Sequence, residues 1–267
     1  MPETRRAMAI GCHPDDIEFM MAGTLILLKE VGWEIHYMNV ANGSCGTAQH
    51  SRDEIVAIRG EEARKAAEYI GAIFHPSLVD DLAVYYEPNI LARLCAVIRQ
   101  VQPNIILTHS PWEYMEDHSN TCRLAVTAAF CRGMRNFLTQ PSVPPTHQAV
   151  TIYHALPYGL RDPLRKRVRA GLYVDITGVI EQKKQMLAFH RSQKEWLDIS
   201  QGLGAYLNAM VEISQEIGRL SKKFPYAEGW RRHLHLGFCG PDDDPLAEAL
   251  GQKAYPDLDY EAQLNRF

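Results

Sequence analysis

Short apolar segments alternate with longer amphipathic stretches over the first 140 residues of this chain. The apolar segments lie at 7–12, 33–42 and 104–110, and the amphipathic stretches lie at 20–32, 52–71, 89–103 and 119–134. The first kind is typical of buried strands, and the second is typical of helices. Strands that are separated by helices form βαβ units, which build parallel sheets. The pattern therefore predicts an α/β fold with a doubly wound, mostly parallel sheet and helices on both faces.

The second half of the chain contains fewer strand signals. Further strands are expected at 149–157 and 172–177, and helical character runs from Val179 to about Leu220. The last 28 residues, from Gly240, are rich in Asp and Pro, which favours irregular structure. We therefore expect residues 1–239 to form a single domain and residues 240–267 to form an irregular C-terminal tail.

Composition excludes several classes of partner. The 28 Lys and Arg residues nearly balance the 32 Asp and Glu residues, so there is no basic footprint for nucleic acid. No apolar run approaches the roughly 18 residues of a membrane-spanning helix. Six cysteines without a CxxC pair, and no signal peptide ahead of them, indicate reduced thiols. We expect a cytoplasmic protein that binds a small molecule, and the composition leaves a homo-oligomer open.

Three polar side chains follow the first predicted strand. His13, Asp15 and Asp16 stand in the sequence "HPDD", and Pro14 forces a turn there. In an open parallel sheet, ligands bind at the carboxyl ends of the strands, which is where this segment lies. Capping of the next helix would explain one aspartate but not the other two side chains. The position therefore favours a functional site.

A second polar cluster follows the strand at 104–110. It comprises His109, Glu113, Glu116, Asp117 and His118. A histidine and an aspartate from the first strand end, with a histidine from the second, make the three ligands of a catalytic zinc site. One adjacent carboxylate is left as a base that accepts a proton from the attacking water.

Four further segments complete a set of motifs. They are "ANGSCGT" from Ala41, "RGEEARKAAEYIGA" from Arg59, "KQMLAFHRSQ" from Lys184 and "YAEGW" from Tyr226. Together with "HPDD" and the "DH" at 117–118, they resemble the PIG-L (LmbE-like) family of zinc-dependent de-N-acetylases over most of residues 7–235. The resemblance implies a Rossmann-like fold and hydrolysis of an acetamide, commonly on an N-acetylglucosamine unit.

The resemblance also implies a metal site. His13, Asp16 and His118 match the metal ligands of the family, and Asp15 matches its general base. The implied cofactor is Zn²⁺, with Fe²⁺ as the alternative.

Two further residues match family positions outside the ligand set. Asp117 matches the aspartate beside the third ligand. It would act in catalysis by orienting a metal ligand without binding the metal itself. Arg59 matches an arginine often placed near the substrate. The alternative for Arg59 is a solvated charge on a helix rich in Arg, Lys and Glu.

One position departs from the family pattern. Met115 stands where the family usually has the first histidine of His-Pro-Asp-His, and a thioether cannot donate a proton to the leaving amine. Some family members bring a late histidine to the site. Of the two late histidines after "YAEGW", we favour His233 over His235 as the catalytic replacement.

These residues predict a zinc-dependent hydrolase that removes an acetyl group from an N-acetylated small molecule. The expected substrate is an N-acetylglucosamine-type sugar or glycoside, attacked by a metal-bound water. One alternative is a non-catalytic carbohydrate-binding protein that retains the fold, for which Met115 is the best argument. Another is a different metallohydrolase, such as a two-metal phosphoesterase that also uses His109 and Glu113.

Overall fold

The computed structural model describes residues 4–194 and 205–264, and eight strands in this part of the chain form one sheet. The strands are β1 (Arg6–Gly11), β2 (Glu34–Asn39), β3 (Ile73–His75), β4 (Ile105–Thr108), β5 (Thr151–Ala155), β6 (Leu172–Asp175), β7 (Ala227–Arg232) and β8 (Ala254–Pro256). Their order is β3-β2-β1-β4-β5-β7-β6-β8. The pairs among β1 to β5 are parallel, whereas β7 is antiparallel to β5 and β6, and β8 is antiparallel to β6. The predicted mostly parallel sheet is confirmed, with an antiparallel edge added.

Helices cover both faces of this sheet. They are α1 (Asp16–Met20), α2 (Ala22–Glu30), α3 (Arg52–Tyr69), α4 (Pro88–Val101), α5 (Glu116–Phe130), α6 (Ile180–Leu187), α7 (Ala205–Ser221), α8 (Pro245–Leu250) and α9 (Leu258–Leu264). Successive residues of β1 point to opposite faces, so Ala7 and Ala9 belong to one apolar core while Met8 and Ile10 belong to another. The first core includes α2, α6 and α7, and the second includes α4 and α5. None of the helices in the described ranges is long and apolar enough to cross a membrane.

The order in which successive strands are added to the sheet reverses at β1. The chain passes from β1 to β2 and β3 on one side, and then returns to place β4 on the other side of β1. The loops that follow β1 and β4 therefore diverge and leave a crevice at the carboxyl ends of these strands, the usual ligand position in such folds.

The C-terminal segment differs from the prediction. Residues 240–267 were expected to form an irregular tail, but α8, β8 and α9 lie within the described part of this segment. The Asp and Pro residues begin a helix there: the Asp244 side chain accepts a hydrogen bond from Ala247 N, and Pro245 is the first helical residue. β8 pairs with β6, so the segment belongs to the same sheet as the rest of the domain. Part of the predicted helix at 179–220, namely 195–204, lies outside the described residues.

A buried ion pair ties the antiparallel edge to the first βα unit. The Glu228 carboxylate of β7 accepts hydrogen bonds from Gly23 N and Thr24 N at the start of α2, both at 2.8 Å. It also accepts one from Lys183 Nζ of α6 at 2.7 Å, and both side chains of this pair are 1% exposed. A carboxylate at a helix N-terminus stabilises the helix, and the lysine balances its charge.

We predict that Lys183→Met destabilises the protein by about 3–5 kcal/mol, because it leaves a buried carboxylate without its cation. Urea unfolding measures the change. Lys184→Met is the matched control, because Lys184 pairs with the exposed Glu181 at 3.7 Å, and it should cost about 0–1 kcal/mol. Equal costs for the two variants would contradict the importance of the buried pair.

Candidate active site

A cavity of about 410 Å³ opens at the carboxyl ends of β1 and β4. Of the residues predicted from the sequence, the lining brings together His13, Asp15, Asp16, Arg59 and His118. Other lining residues come from the connection between β4 and α5, from the glycine-rich loop after β2 and from α7, and they include His109, Glu113, Met115, Cys45, Gly46 and Tyr206. Many titratable side chains therefore converge on the crevice that the strand order predicts.

The turn after β1 holds its backbone in a strained conformation. Asp15 has φ 116° and ψ −24°, a region that non-glycine residues rarely adopt. The turn is fixed by hydrogen bonds from His13 N to Asp16 Oδ2 at 2.7 Å and from Asn39 Nδ2 to His13 O at 2.7 Å. These bonds direct the Asp15 and Asp16 side chains to different partners, although the two residues are adjacent.

Two overlapping groups of side chains among the described residues have candidate ligand atoms within 4.8 Å of one another. One group is Cys12, His13 and Asp16, and the other is Asp16, His109 and His118. Asp16 belongs to both groups, so a metal ion at this position would be bound through its carboxylate.

The three predicted ligand atoms form a compact triangle. His13 Nδ1 lies 3.3 Å from His118 Nε2, and Asp16 Oδ2 lies 3.3 Å from His118 Nε2 and 3.6 Å from His13 Nδ1. Ligands at ~2.0–2.1 Å from a tetrahedral zinc stand roughly 3.4 Å apart, so these separations fit such an ion. The donor set of two imidazole nitrogens and one carboxylate oxygen fits it as well.

The other two candidates have competing contacts. Cys12 N donates to His109 Nε2 at 2.9 Å, which occupies the lone pair that a metal would need. Cys12 Sγ lies 3.7 Å from His13 Nε2, the ring nitrogen that is not part of the triangle. The geometry therefore favours His13, Asp16 and His118 as the metal ligands over Cys12 and His109.

Each histidine of the triangle has a carboxylate close to its second ring nitrogen, the one that does not point at the other ligand atoms. Asp117 Oδ2 lies 3.2 Å from His13 Nε2 and also accepts a hydrogen bond from Leu82 N at 2.7 Å. Glu113 Oε2 lies 3.5 Å from His118 Nδ1. Such outer carboxylates fix the ring orientation and tautomer of ligating histidines. Glu113 was predicted only as an extra ligand for a second metal, and its role behind His118 depends on the path of the loop, which the sequence does not reveal.

The charges of the cluster favour a bound cation. Burial raises the pKa of Asp16, but the imidazoles of His118 and His109 outweigh burial and hold that pKa well below its usual value. Burial lowers the pKa of His118, and the Asp16 and Glu113 carboxylates more than reverse this effect. An ionised carboxylate is thus maintained among groups that attract positive charge.

Asp15 is held apart from the triangle. Its Oδ2 accepts a hydrogen bond from the Tyr206 hydroxyl at 2.7 Å, and its Oδ1 lies 3.7 Å from Arg59 Nη2. Burial raises the pKa of Asp15, and the Arg59 guanidinium reverses only part of that shift. Tyr206 lies 191 positions from Asp15, and no pattern in the sequence linked the two.

Arg59 is a buried side chain, 3% exposed, and not a solvated charge on its helix. Its guanidinium donates to Pro14 O at 2.5 Å and to Gly43 O at 3.4 Å. A Cβ on Gly43, at φ 82°, would lie 2.5 Å from Arg59 Cδ, and a Cβ on Gly46 would collide with the same side chain. The glycines therefore allow the loop to lie directly over Arg59, which lines the cavity from below this loop.

Met115 lines the cavity, but His233 does not lie among its described lining residues. The structure brings His233 to a separate cavity, where its Nδ1 lies 2.9 Å from His154 Nε2 of β5. The β5–β7 pairing sets this direction, because His154 lies opposite Arg231 and His233 follows two residues later on the same side. The expected late histidine is thus not placed at the ligand triangle.

The N-terminal half of the chain matches a known family. Residues 8–129 match the family model PIG-L, GlcNAc-PI de-N-acetylase. Over 201 residues, the chain is 27% identical to a diacetylchitobiose deacetylase from Thermococcus kodakarensis, in an alignment that covers 72% of this chain and 71% of that protein. It is 24% identical over 236 residues to a 4-oxalmesaconate hydratase from Pseudomonas putida, covering 84% of this chain and 88% of that protein.

A solved structure shares the fold. The inhibitor complex of N,N'-diacetylchitobiose deacetylase from Pyrococcus horikoshii superposes with a TM-score of 0.72 at 24% identity, covering 88% of this chain and 85% of that one. The residues matched by the family model contain most of β1, all of β2 to β4 and both polar clusters of the site. The chain therefore carries a PIG-L family domain, and the family that its sequence motifs resemble is confirmed.

Proposed function

We propose that this protein is a metal-dependent amide hydrolase that removes the acetyl group from an N-acetylated sugar or glycoside. The observation that carries the proposal is the position of Asp15, whose carboxylate bonds to Tyr206 while its neighbour Asp16 completes the ligand triangle. A general base must stand beside a metal without binding it. The identity of 27% to a diacetylchitobiose deacetylase supports the same reaction class.

Zinc is the metal that we propose, held by His13, Asp16 and His118, with Fe²⁺ as the alternative. When bound, the metal would act as a Lewis acid that polarises the acetamide carbonyl and makes water more acidic. Asp117 and Glu113 would hold the two imidazoles in orientation through their outer nitrogens.

Asp15 would accept the proton of the attacking water. Its raised pKa makes it a stronger base than an exposed aspartate, and the Tyr206 hydroxyl and the Arg59 guanidinium hold its carboxylate in place. Met115 has no proton to donate to the departing amine. Asp15, once protonated, is the group that can return the proton, so a single carboxyl would serve as base and then as acid.

A neutral substrate suits the charges of the cavity. Among the described residues that line the cavity, four have carboxylates: Asp15, Asp16, Asp81 and Glu113. The same lining contains one basic side chain of the Lys or Arg type, Arg59. The Arg59 guanidinium already donates to backbone oxygens and stands near Asp15. No Lys or Arg of the described lining is therefore left to pair with an anionic substrate.

Aromatic rings at the cavity suit a sugar. Tyr114 and Tyr158 both line it, with ring centroids 5.9 Å apart, and both are exposed. Such rings offer apolar faces against which the face of a pyranose ring can pack.

A hydratase is the second candidate. The 4-oxalmesaconate hydratase relative aligns over more of this chain than the deacetylase relative does, 84% against 72%. Addition of water to a double bond releases no amine, so it would need no histidine at position 115. Against it, the substrate of that relative is a carboxylate, and the described cavity lining offers no free Lys or Arg to bind one.

We expect the metal-loaded protein to release acetate from N-acetylglucosamine or N,N'-diacetylchitobiose. Asp15→Asn should reduce this activity by about 10²-fold or more, the scale of an acid–base group, while the metal content stays unchanged. Asp53→Asn changes an aspartate that is 89% exposed and serves as the control. Acetate release is followed enzymatically, and the metal by elemental analysis.

Two outcomes would replace the proposal, and a third would change the role of a residue within it. Hydration of 4-oxalmesaconate without acetate release from any N-acetylated sugar would favour the hydratase. Saturable sugar binding with no turnover of either substrate class would favour a carbohydrate-binding protein. Loss of metal in Asp15→Asn would mean that the roles of the two aspartates are reversed.

We expect His118→Ala to lose bound metal, because it removes one of three ligand atoms. Elemental analysis after dialysis measures the stoichiometry, and Met115→Ala is the matched control because Met115 lines the same cavity without being a proposed ligand. Metal retained by His118→Ala at the wild-type ratio would remove His118 from the ligand set.

Glu113→Gln should weaken metal binding by about 10-fold to 100-fold, the scale of outer-carboxylate mutations. The reason is that the amide keeps the shape of the side chain but loses the negative charge beside His118 Nδ1. A competition titration with a chromogenic chelator gives the dissociation constant. An affinity equal to that of the wild type would show that Glu113 supports only the loop.

A further inference from the structure

A second cavity of about 330 Å³ lies behind the connection between β4 and α5. Its lining includes His154 of β5, His233 after β7, Arg123 and Thr127 of α5, Tyr86 before α4, and Pro111 of the connection itself. None of these residues belongs to the metal site or to the proposed mechanism.

The strand register adds a second arginine to this face. His154 and Arg231 are directly opposed in the β5–β7 ladder, so their side chains lie on the same face of the sheet. Arg231 Nη2 donates to Ser110 Oγ at 2.7 Å, next to Pro111. Arg231 Nε is buried and has no hydrogen-bond partner within the described ranges. A buried guanidinium donor without a partner is costly unless a ligand or water binds it.

The positive charge of this cluster is not balanced. The Arg123 guanidinium lies 4.9 Å from the centroid of the Tyr86 ring. Neither Arg123 nor Arg231 forms an ion pair with a carboxylate in residues 4–194 and 205–264, and the described lining contains no Asp or Glu. Arg123 lines the cavity, and the Arg231 guanidinium lies near Cys122 of the lining, where its charge opposes the rise in the pKa of Cys122 that burial causes. Two guanidinium groups without carboxylate partners favour an oxyanion at this cavity.

The histidines add a hydrogen-bond acceptor. His154 Nδ1 lies 2.9 Å from His109 O, and a carbonyl can only accept, so Nδ1 carries the proton. In a neutral ring, His154 Nε2 must then accept from His233 Nδ1, 2.9 Å away. This leaves His233 Nε2 as an acceptor without a partner among the described residues. Burial lowers the pKa of His233, which favours this neutral form.

We propose that this cavity is a binding site for inorganic hydrogen phosphate. The anion offers oxygens that accept from the Arg123 guanidinium, with the charge of Arg231 behind the lining, and it keeps one hydroxyl that can donate to His233 Nε2. Sulfate has the oxygens without the hydroxyl, and the dianion of a phosphate monoester also lacks it. The combination of guanidinium donors with one imidazole acceptor therefore selects free hydrogen phosphate among these oxyanions.

Calorimetric titration of the metal-loaded protein with phosphate, sulfate and glucose 6-phosphate tests the site at neutral pH. Phosphate should bind at least about tenfold more tightly than the other two, the scale of a hydrogen bond lost at a charged ligand. Arg123→Gln should weaken phosphate binding by a similar factor, whereas Arg135→Gln, an exposed control elsewhere on the surface, should not.

The variant His233→Phe tests the role of His233 Nε2 as the hydrogen-bond acceptor for the phosphate hydroxyl. Phosphate affinity should fall to the level of sulfate, because the variant loses the hydroxyl contact at His233 Nε2 together with the bond from His233 Nδ1 to His154 Nε2. Sulfate affinity should stay unchanged, because sulfate has no hydroxyl to donate to His233. Equal binding of sulfate and phosphate to the wild type would overturn the role of His233. Phosphate binding that is unaffected by Arg123→Gln would overturn the site and assign the anion to the metal centre instead. Tighter binding of glucose 6-phosphate would overturn the choice of the free anion.

Discussion

The pairing of β1 with β4 is the interaction on which the catalytic cavity depends. Ile10 lies opposite Thr108 in a parallel ladder, and the Thr108 hydroxyl donates to Ile10 O at 2.9 Å. Both strands then end together, and Cys12 N donates across the gap to the His109 ring. Because the two ends are held in register, residues 13–16 and 113–118 converge, although about 100 positions separate them in the chain. A slip of this ladder would separate the two halves of the ligand triangle.

The sequence allowed five strands to be predicted, namely β1, β2, β4, β5 and β6, but not β3, β7 or β8. The predicted strands lie in segments that are rich in apolar residues, whereas β7 contains Glu228 and two arginines. Glu228 is tolerated there because Lys183 and the start of α2 neutralise it, a compensation that comes from distant parts of the chain. β3 and β8 have only three residues each, which is too short for a hydrophobic period to be recognised.

The same distinction applies to the candidate site. The residues at 13–16 and 117–118 could be predicted because each set directly follows or begins a regular element. Tyr206 could not, because α7 reaches Asp15 only after the chain has folded across the sheet. The direction of His233 was also hidden, since alternate residues of an extended segment point both ways, and only the pairing of β5 with β7 decides between them.

The backbone of Asp15 has a consequence for how this protein could be stabilised. At φ 116°, glycine would avoid a conformational cost of about 1–3 kcal/mol that any other residue incurs. The chain nevertheless has a carboxylate there, aimed at Tyr206 and away from the ligand triangle. Stability and chemistry therefore favour opposite residues at one position. Selection of variants for heat resistance alone would tend to remove this aspartate, whereas selection for turnover under the same conditions would have to retain the strain and gain stability elsewhere in the domain.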